Sequence, residues 1–165
     1  MKTVRLDTYR FGEIEVNEEK LLRFSEGIPG FESLTRFVIL TTEETEPFHW
    51  LQSADDPMIA LAVINPFELL PDYSPRVNDS VFEELEAQNE DDIICLTVAV
   101  IPEDIEKVTL NLASPVLINT KKNLGKQVIL EGSDYSPRFP VFEGLRKKME
   151  EAKGGPVDAG ADAQD

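Results

Sequence analysis

Apolar and polar residues alternate over the first part of the chain. Val4 and Leu6, then Phe11, Ile14 and Val16, are separated by polar positions on either side of Gly12. A period of two puts one apolar face on a pleated backbone, so this stretch predicts two strands turning near Gly12. Residues 21–24 (LLRF) predict a third strand. The chain then breaks into short apolar or β-branched runs at 36–41, 48–52, 58–64, 93–101, 108–112, 116–119 and 127–130. Each predicts a strand, with Asn123-Leu124-Gly125 as the last hairpin turn.

Helical spacing is sparse. Residues 79–88 (DSVFEELEAQ) carry Val81, Phe82 and Leu85 on one stripe, and Ser80 with Glu83 fits a capping box. Residues 141–152 place Phe142, Leu145 and Met149 on another stripe, with Gly144 weakening the first turn. The segments 65–73 and 102–105 each predict about one helical turn. From Lys153 to the end, Val157 is the only large apolar residue. The pattern predicts a mainly β fold: a small antiparallel β-barrel-like structure or strongly bent sheet with one or two short helices. It forms one domain over residues 1–152, followed by a disordered acidic tail over 153–165.

One short stretch does not fit a simple strand-and-turn reading. In Gly27-Ile28-Pro29-Gly30-Phe31, Pro29 and Gly30 suit the two central positions of a type II turn, where glycine supplies a positive φ. Turns are usually polar, yet this one carries Ile28 and Phe31. Either the corner folds back and caps the end of the barrel, or it presents an apolar patch to a partner.

Composition narrows the classes. The chain has 165 residues, 41% of them hydrophobic, which is enough for one folded domain. Cys95 is the single cysteine and lies in an apolar run, so it reads as a small buried hydrophobe in a reducing compartment. The N-terminal residues lack an apolar signal core, and the 93–101 run is too short to span a bilayer. A soluble cytoplasmic protein without membrane contact is expected.

Charge changes the picture more. The net charge is −16, and residues 37–106 hold 17 acids against one base, Arg76, while the rest of the chain holds 15 of each. Such a field repels nucleic acid and attracts basic partners. Catalytic constellations are few. His49 is the only histidine and sits between Phe48 and Trp50, so it reads as a strand residue rather than a base or metal ligand. Asp55-Asp56 and Asp91-Asp92 lack calcium-loop spacing and read as solvated loop charges. Arg146-Lys147-Lys148 is the densest basic run. No enzyme activity, cofactor or metal is expected, and partner binding is the better reading.

Four motifs in order then carry a resemblance. They are Phe11-Gly12-Glu13-Ile14-Glu15-Val16 with Phe24-Ser25-Glu26-Gly27-Ile28-Pro29-Gly30-Phe31-Glu32; Pro47-Phe48-His49-Trp50-Leu51-Gln52-Ser53 with Asp55-Asp56-Pro57; Asn65-Pro66 with Pro71-Asp72-Tyr73; and 108–112 (VTLNL), 115–119 (PVLIN) and 125–128 (GKQV). Together they resemble the flagellar assembly factor FliW family over roughly residues 4 to 142. Ser25, Leu61 and Ser114 depart from common family residues without removing a motif. The resemblance implies a non-enzymatic adaptor with two partners. One is flagellin. The other is CsrA, the RNA-binding carbon storage regulator that represses flagellin mRNA, and whose repression the adaptor relieves by a partner switch. A flagellin-only export chaperone is the first rival, and a small carboxylate-based enzyme the second.

The candidate partner contacts follow from both arguments. Ile28 and Phe31 come from the corner. Asp72 and Tyr73 come from a proline-bounded loop expected to be exposed. The acids Asp55, Asp56, Glu83, Glu84, Glu86, Asp91 and Asp92 come from the charged middle. Asn111 either fixes a strand bulge or touches a partner. No direct nucleic-acid binding and a monomeric free state are expected.

Overall fold

A computed structural model of the chain describes residues 2–143. Residues 141–143 are helical. The rest of the helix expected over 141–152, and the tail expected over 153–165, lie outside the described residues.

The strands are β1 (Thr3–Thr8), β2 (Gly12–Asn17), β3 (Leu22–Arg23), β4 (Arg36–Thr41), β5 (His49–Ser53), β6 (Ala60–Ile64), β7 (Ile93–Val100), β8 (Thr109–Leu110), β9 (Val116–Asn119), β10 (Leu124–Gln127) and β11 (Phe139–Pro140). The helices are α1 (Pro66–Leu69) and α2 (Asp79–Glu84). β1 and β2 form a separate hairpin. The others join in the order β11-β8-β7-β6-β5-β4-β3-β10-β9, and β9 returns to pair with β7. The result is a closed seven-stranded barrel with β8 and β11 as a flange.

The length of β7 makes both the closure and the flange possible. Its first half, Ile93 to Leu96, pairs with β9, while Ala99 and Val100 pair with β8. Its other edge pairs with β6 from Thr97 to Ala99. The ladder is antiparallel except where Leu124 of β10 lies parallel to Arg23 of β3. Closure leaves these strands without the open edge that invites mispairing.

Alternation sends one set of side chains inward. Phe37, Leu51, Val63, Leu96, Val116 and Ile118 pack with Leu22, Phe24 and Ile28 in the barrel. The opposite faces are covered as well. Trp50, Ala62, Ile64 and Ala99 lie beneath Tyr73, Val108, Leu110, Leu112 and Val141. Val81 of α2 and Leu85 just after it cover Leu117, Val128 and Leu130. Burial on both faces is why these strands read as nearly continuous apolar runs.

Three local expectations differ from the structure. The last hairpin turns before Leu124, because Asn123 takes the left-handed conformation at φ 57° and the Asn119 side chain accepts N–H bonds from Lys121 and Lys122. This pairs Asn119 with Leu124 and places β10 three residues earlier than the 127–130 run suggests. α2 ends at Glu84 and is N-capped at Asn78 without a side-chain cap bond, so the Ser80–Glu83 box does not form. A capping box forms instead at Asn89 and Asp92, opening the 3-10 turn that leads into β7. The β8 ladder is confined to Thr109–Leu110, within the longer 108–112 run.

Candidate partner-binding surfaces

The Gly/Pro corner folds back onto the barrel. Phe31 donates its N–H to the Ile28 carbonyl at 2.6 Å, and Gly30 has φ 92°, as the turn chemistry requires. Gly27 takes φ 69°, and a Cβ there would lie 2.6 Å from backbone atoms of Phe31 and Glu32. This tight return drives Ile28 into the core, where it is 2% exposed. Phe31 packs against the same cluster but remains half-buried. The exposed-patch reading is therefore corrected for Ile28: an apolar side chain on this corner plugs the barrel. Phe31 alone retains accessible surface.

Tyr73 is corrected in the same way. Its loop was expected to be exposed, yet the ring is 5% exposed. It stacks edge-on against Tyr135 at 4.7 Å, and its hydroxyl donates to the Leu112 carbonyl at 2.7 Å. Burial pushes its phenol well above the ordinary tyrosine range. Asp72 beside it is exposed. Asn111 is half-buried, and its side chain accepts the Ala113 N–H at 3.1 Å, which supports the bulge-fixing role.

The acids separate into scaffold and surface. One oxygen of Asp55 accepts two N–H bonds from the Arg36 guanidinium at 2.8 and 2.9 Å, and the other accepts the Thr35 and Arg36 backbone N–H groups. Partial desolvation opposes ionisation of Asp55, but these bonds outweigh it and hold the carboxyl below its ordinary range. Asp56 accepts the Met58 N–H at 2.9 Å. Both are turn-forming residues rather than simply solvated charges. Asp92 is 3% exposed, which corrects its reading as a solvated charge. It meets the Lys121 ammonium at 2.8 Å and accepts the Gln88 N–H at 3.0 Å. Those two contacts, Lys121 first, hold its carboxyl below the usual range.

Glu83, Glu84, Glu86 and Asp91 are exposed along α2 and the turn after it. Glu84 shares Lys126 with Glu26 of the corner loop. So α2 is clasped to the corner through one lysine, and the acidic middle is partly neutralised by lysines from the β9–β10 hairpin. The sequence tally hides this because Lys121 and Lys126 lie outside residues 37–106. Among the described residues, Glu83, Glu86 and Asp91 form no ion pair.

A second surface escaped the sequence reading. A groove of about 330 Å³ is lined by Phe48, Ile64, Leu69, Ile101, Ile105 and Phe142, with Glu44 and Glu46 on its rim. Ile105 is 58% exposed there. Asp104 and Glu106 flank Ile105 in the chain, and among the described residues Glu44, Glu46, Asp104 and Glu106 form no ion pair. The signal was present in Ile101 and Ile105 beside acids, but only the fold brings the β7–β8 loop against the turn before β5.

The two candidate reactive groups are held by their surroundings. The Nδ1 of His49 lies 2.8 Å from the Thr41 hydroxyl on the neighbouring strand. Burial pushes the Cys95 thiol up to about 12, which suppresses the thiolate. Among the described residues no group of three His, Cys, Asp or Glu side chains is placed to hold a metal ion.

Comparison with known proteins places this geometry. The model of the FliW protein family matches residues 5–141. The chain belongs to the FliW family. It is 38% identical over 148 residues to the flagellar assembly factor FliW of Alkaliphilus metalliredigens, covering 89% of this chain and 91% of that protein. It is 44% identical over 135 residues to the flagellar assembly factor FliW of Caldicellulosiruptor bescii, covering 82% and 88% respectively. A crystal structure of the flagellar assembly factor FliW superposes with TM-score 0.80 at 34% identity, over 84% of this chain and 97% of that one. The closed barrel and its flange are thus the fold of this family.

Proposed function

We propose that this chain is a non-enzymatic adaptor of flagellum assembly, acting in the cytoplasm as a free monomer between two partners. It binds CsrA and relieves repression of flagellin mRNA, and it binds flagellin in exchange. Membership of the FliW family supports the assembly role. The observation that carries the CsrA half is the set of exposed acids that form no close ion pair among the described residues: Glu83, Glu86 and Asp91 on the α2 side, and Glu44 and Glu46 at the groove. Docked on an RNA-binding protein, such charges lie near the phosphate path. Within a Debye length of about 8 Å they disfavour RNA by repulsion.

Burial and hydrogen bonding together sort the contacts. Glu83, Glu86, Asp91, Asp72 and Phe31 retain surface for a partner, with Glu84 available if Lys126 releases it. Ile28, Tyr73, Asp55, Asp56, Asp92 and Asn111 serve mainly to shape that surface. The test is the association rate with CsrA against ionic strength. Charge steering predicts roughly a tenfold fall from low to high salt, flattened by Glu83→Gln with Glu86→Gln and Asp91→Asn. A rate that is independent of salt and of these substitutions contradicts the reading.

The groove favours a second reading, a flagellin chaperone without CsrA antagonism. An apolar channel of this size accepts the apolar face of a helix and needs no wider acidic field. That reading predicts flagellin binding that is little changed by salt, and no CsrA complex.

A further inference from the structure

The barrel closes between β3 and β10 through a single residue pair, Leu124 beside Arg23. Past that pair the chain runs on along β9 and the residues before it. Lys126 lies opposite Leu117, Val128 donates its N–H to the Pro115 carbonyl at 2.9 Å, and Leu130 donates to the Ala113 carbonyl at 2.9 Å. Backbone groups along an antiparallel strand alternate in direction, so those of Gln127 and Ile129 point away from β9. Among the described residues, neither the N–H nor the C=O of Gln127 or Ile129 has a hydrogen-bond partner. Beyond the point of closure, one edge is bare.

This edge lines a cleft of about 580 Å³. The corner loop contributes Glu26, Pro29 and Glu32, and the approach to and start of α2 contribute Arg76, Asn78 and Val81. Lys126 ties these two walls together through its ion pairs with Glu26 and Glu84. Unused strand edges are usually protected by charge, proline or a bulge. Here Ile129 is 65% exposed beside its own unpaired backbone groups.

We propose that this edge is a docking site for an extended basic segment of another protein, which adds to the sheet as a strand beside Gln127 and Ile129. The backbone decides the conformation. A helix already bonds its N–H and C=O groups internally, whereas an extended segment offers both to a strand edge. The side chains decide the composition. Ile129 favours a β-branched neighbour across the strands. Glu32 and Glu131 line the cleft and form no ion pair among the described residues, and Glu26 shares its lysine with Glu84, so the lining favours cations. Arg76 is the base in the lining without an ion pair among the described residues, and it marks the position where the segment tolerates an acid. A second copy of this chain fits poorly. It brings the same net charge of −16, and its own edge is set in the same cleft, which keeps two such edges from reaching the strand spacing of about 4.8 Å. The site does not rest on the adaptor reading.

Titration of the full-length chain with the peptide acetyl-Lys-Val-Thr-Val-Lys-amide, followed by amide NMR, tests the site. The Gln127 and Ile129 amides should shift most, and their hydrogen exchange should slow several-fold at saturation. N-methylation of one alternate set of peptide residues should weaken binding about tenfold, and N-methylation of the other set should not, because only one set faces the edge. Glutamate in place of both peptide lysines should weaken binding by a similar factor. Ile129→Pro removes one edge N–H and spares the Val128 and Leu130 bonds, so it should lower affinity about tenfold with the urea midpoint little changed. If that variant does not fold, the N-methylated peptides on the native chain decide the matter. No binding at millimolar peptide, equal binding of both N-methylated sets, or shifts centred away from 127–129 overturns the proposal. Neither CsrA nor flagellin is present in the experiment, so failure here is distinguishable from failure of the adaptor reading.

Discussion

The Asp92 carboxylate, with its side chain 4% exposed, meets the Lys121 ammonium at 2.8 Å and joins the turn after α2 to the β9–β10 hairpin. Close by, the Asn119 side-chain amide donates to the Leu85 carbonyl at 2.8 Å, so the hairpin is tied to α2 through two side chains. The acidic surface of α2 is positioned by these bonds and by the apolar contacts of Val81 and Leu85.

Asp92→Asn should lower the unfolding midpoint by several degrees at neutral pH, and the difference should depend on pH. Because the folded carboxyl is held below its ordinary value, its contribution is present above the unfolded pKa, about 4, and is lost as pH falls through the folded value. Thermal melts of both chains should therefore differ at pH 7 and converge toward pH 3. A gap that stays constant to pH 3 contradicts the assignment.

Tyr73→Phe removes one hydroxyl and leaves the buried Leu112 carbonyl without that donor. A cost of about 1–2 kcal/mol is expected in urea unfolding, with the slope unchanged. No change in stability would mean that the bond between the 70–73 loop and the segment after β8 contributes nothing.

Gly125→Ala should destabilise the barrel by about 1–3 kcal/mol, because the added Cβ would fall inside the van der Waals contact distance of the Phe24 ring. Gly125 sits in β10 where Phe24 fills the interior, so no side chain fits without moving the ring. Pairing with Phe24→Leu should recover part of the loss, and strict additivity of the two changes would argue against contact.

Ile28→Ala and Phe31→Ala separate the two faces of the corner. The first opens a cavity in the barrel core and should cost about 2–4 kcal/mol. The second should cost less and weaken partner binding more, because Phe31 is the residue with surface. Equal losses of stability, with binding unaffected by Phe31→Ala, would make the corner purely structural.

Much of the fold was legible because the barrel strands are short and apolar on both faces, as at 60–64 and 93–100. Turn chemistry was legible where one residue dictates it: Pro29-Gly30 made the expected turn. The last hairpin was misplaced because Asn123 supplies the left-handed residue there and Gly125 is needed for packing instead, and both look like turn residues in sequence. Exposure was the least readable property. Tyr73 and Asp92 sit in polar, proline-rich or acidic stretches, yet partners distant in sequence, Leu112 and Lys121, bury them. The groove was not legible for the same reason, since its floor and rim come from 44–48, 64–69 and 101–108.

The most direct measurement is light scattering on size-exclusion chromatography of the purified chain mixed with CsrA, with flagellin then added. The adaptor account predicts a discrete complex with CsrA that is lost as a complex with flagellin forms. A flagellin complex with no CsrA complex at any ratio would contradict the account and leave an export chaperone, its acids serving solubility alone.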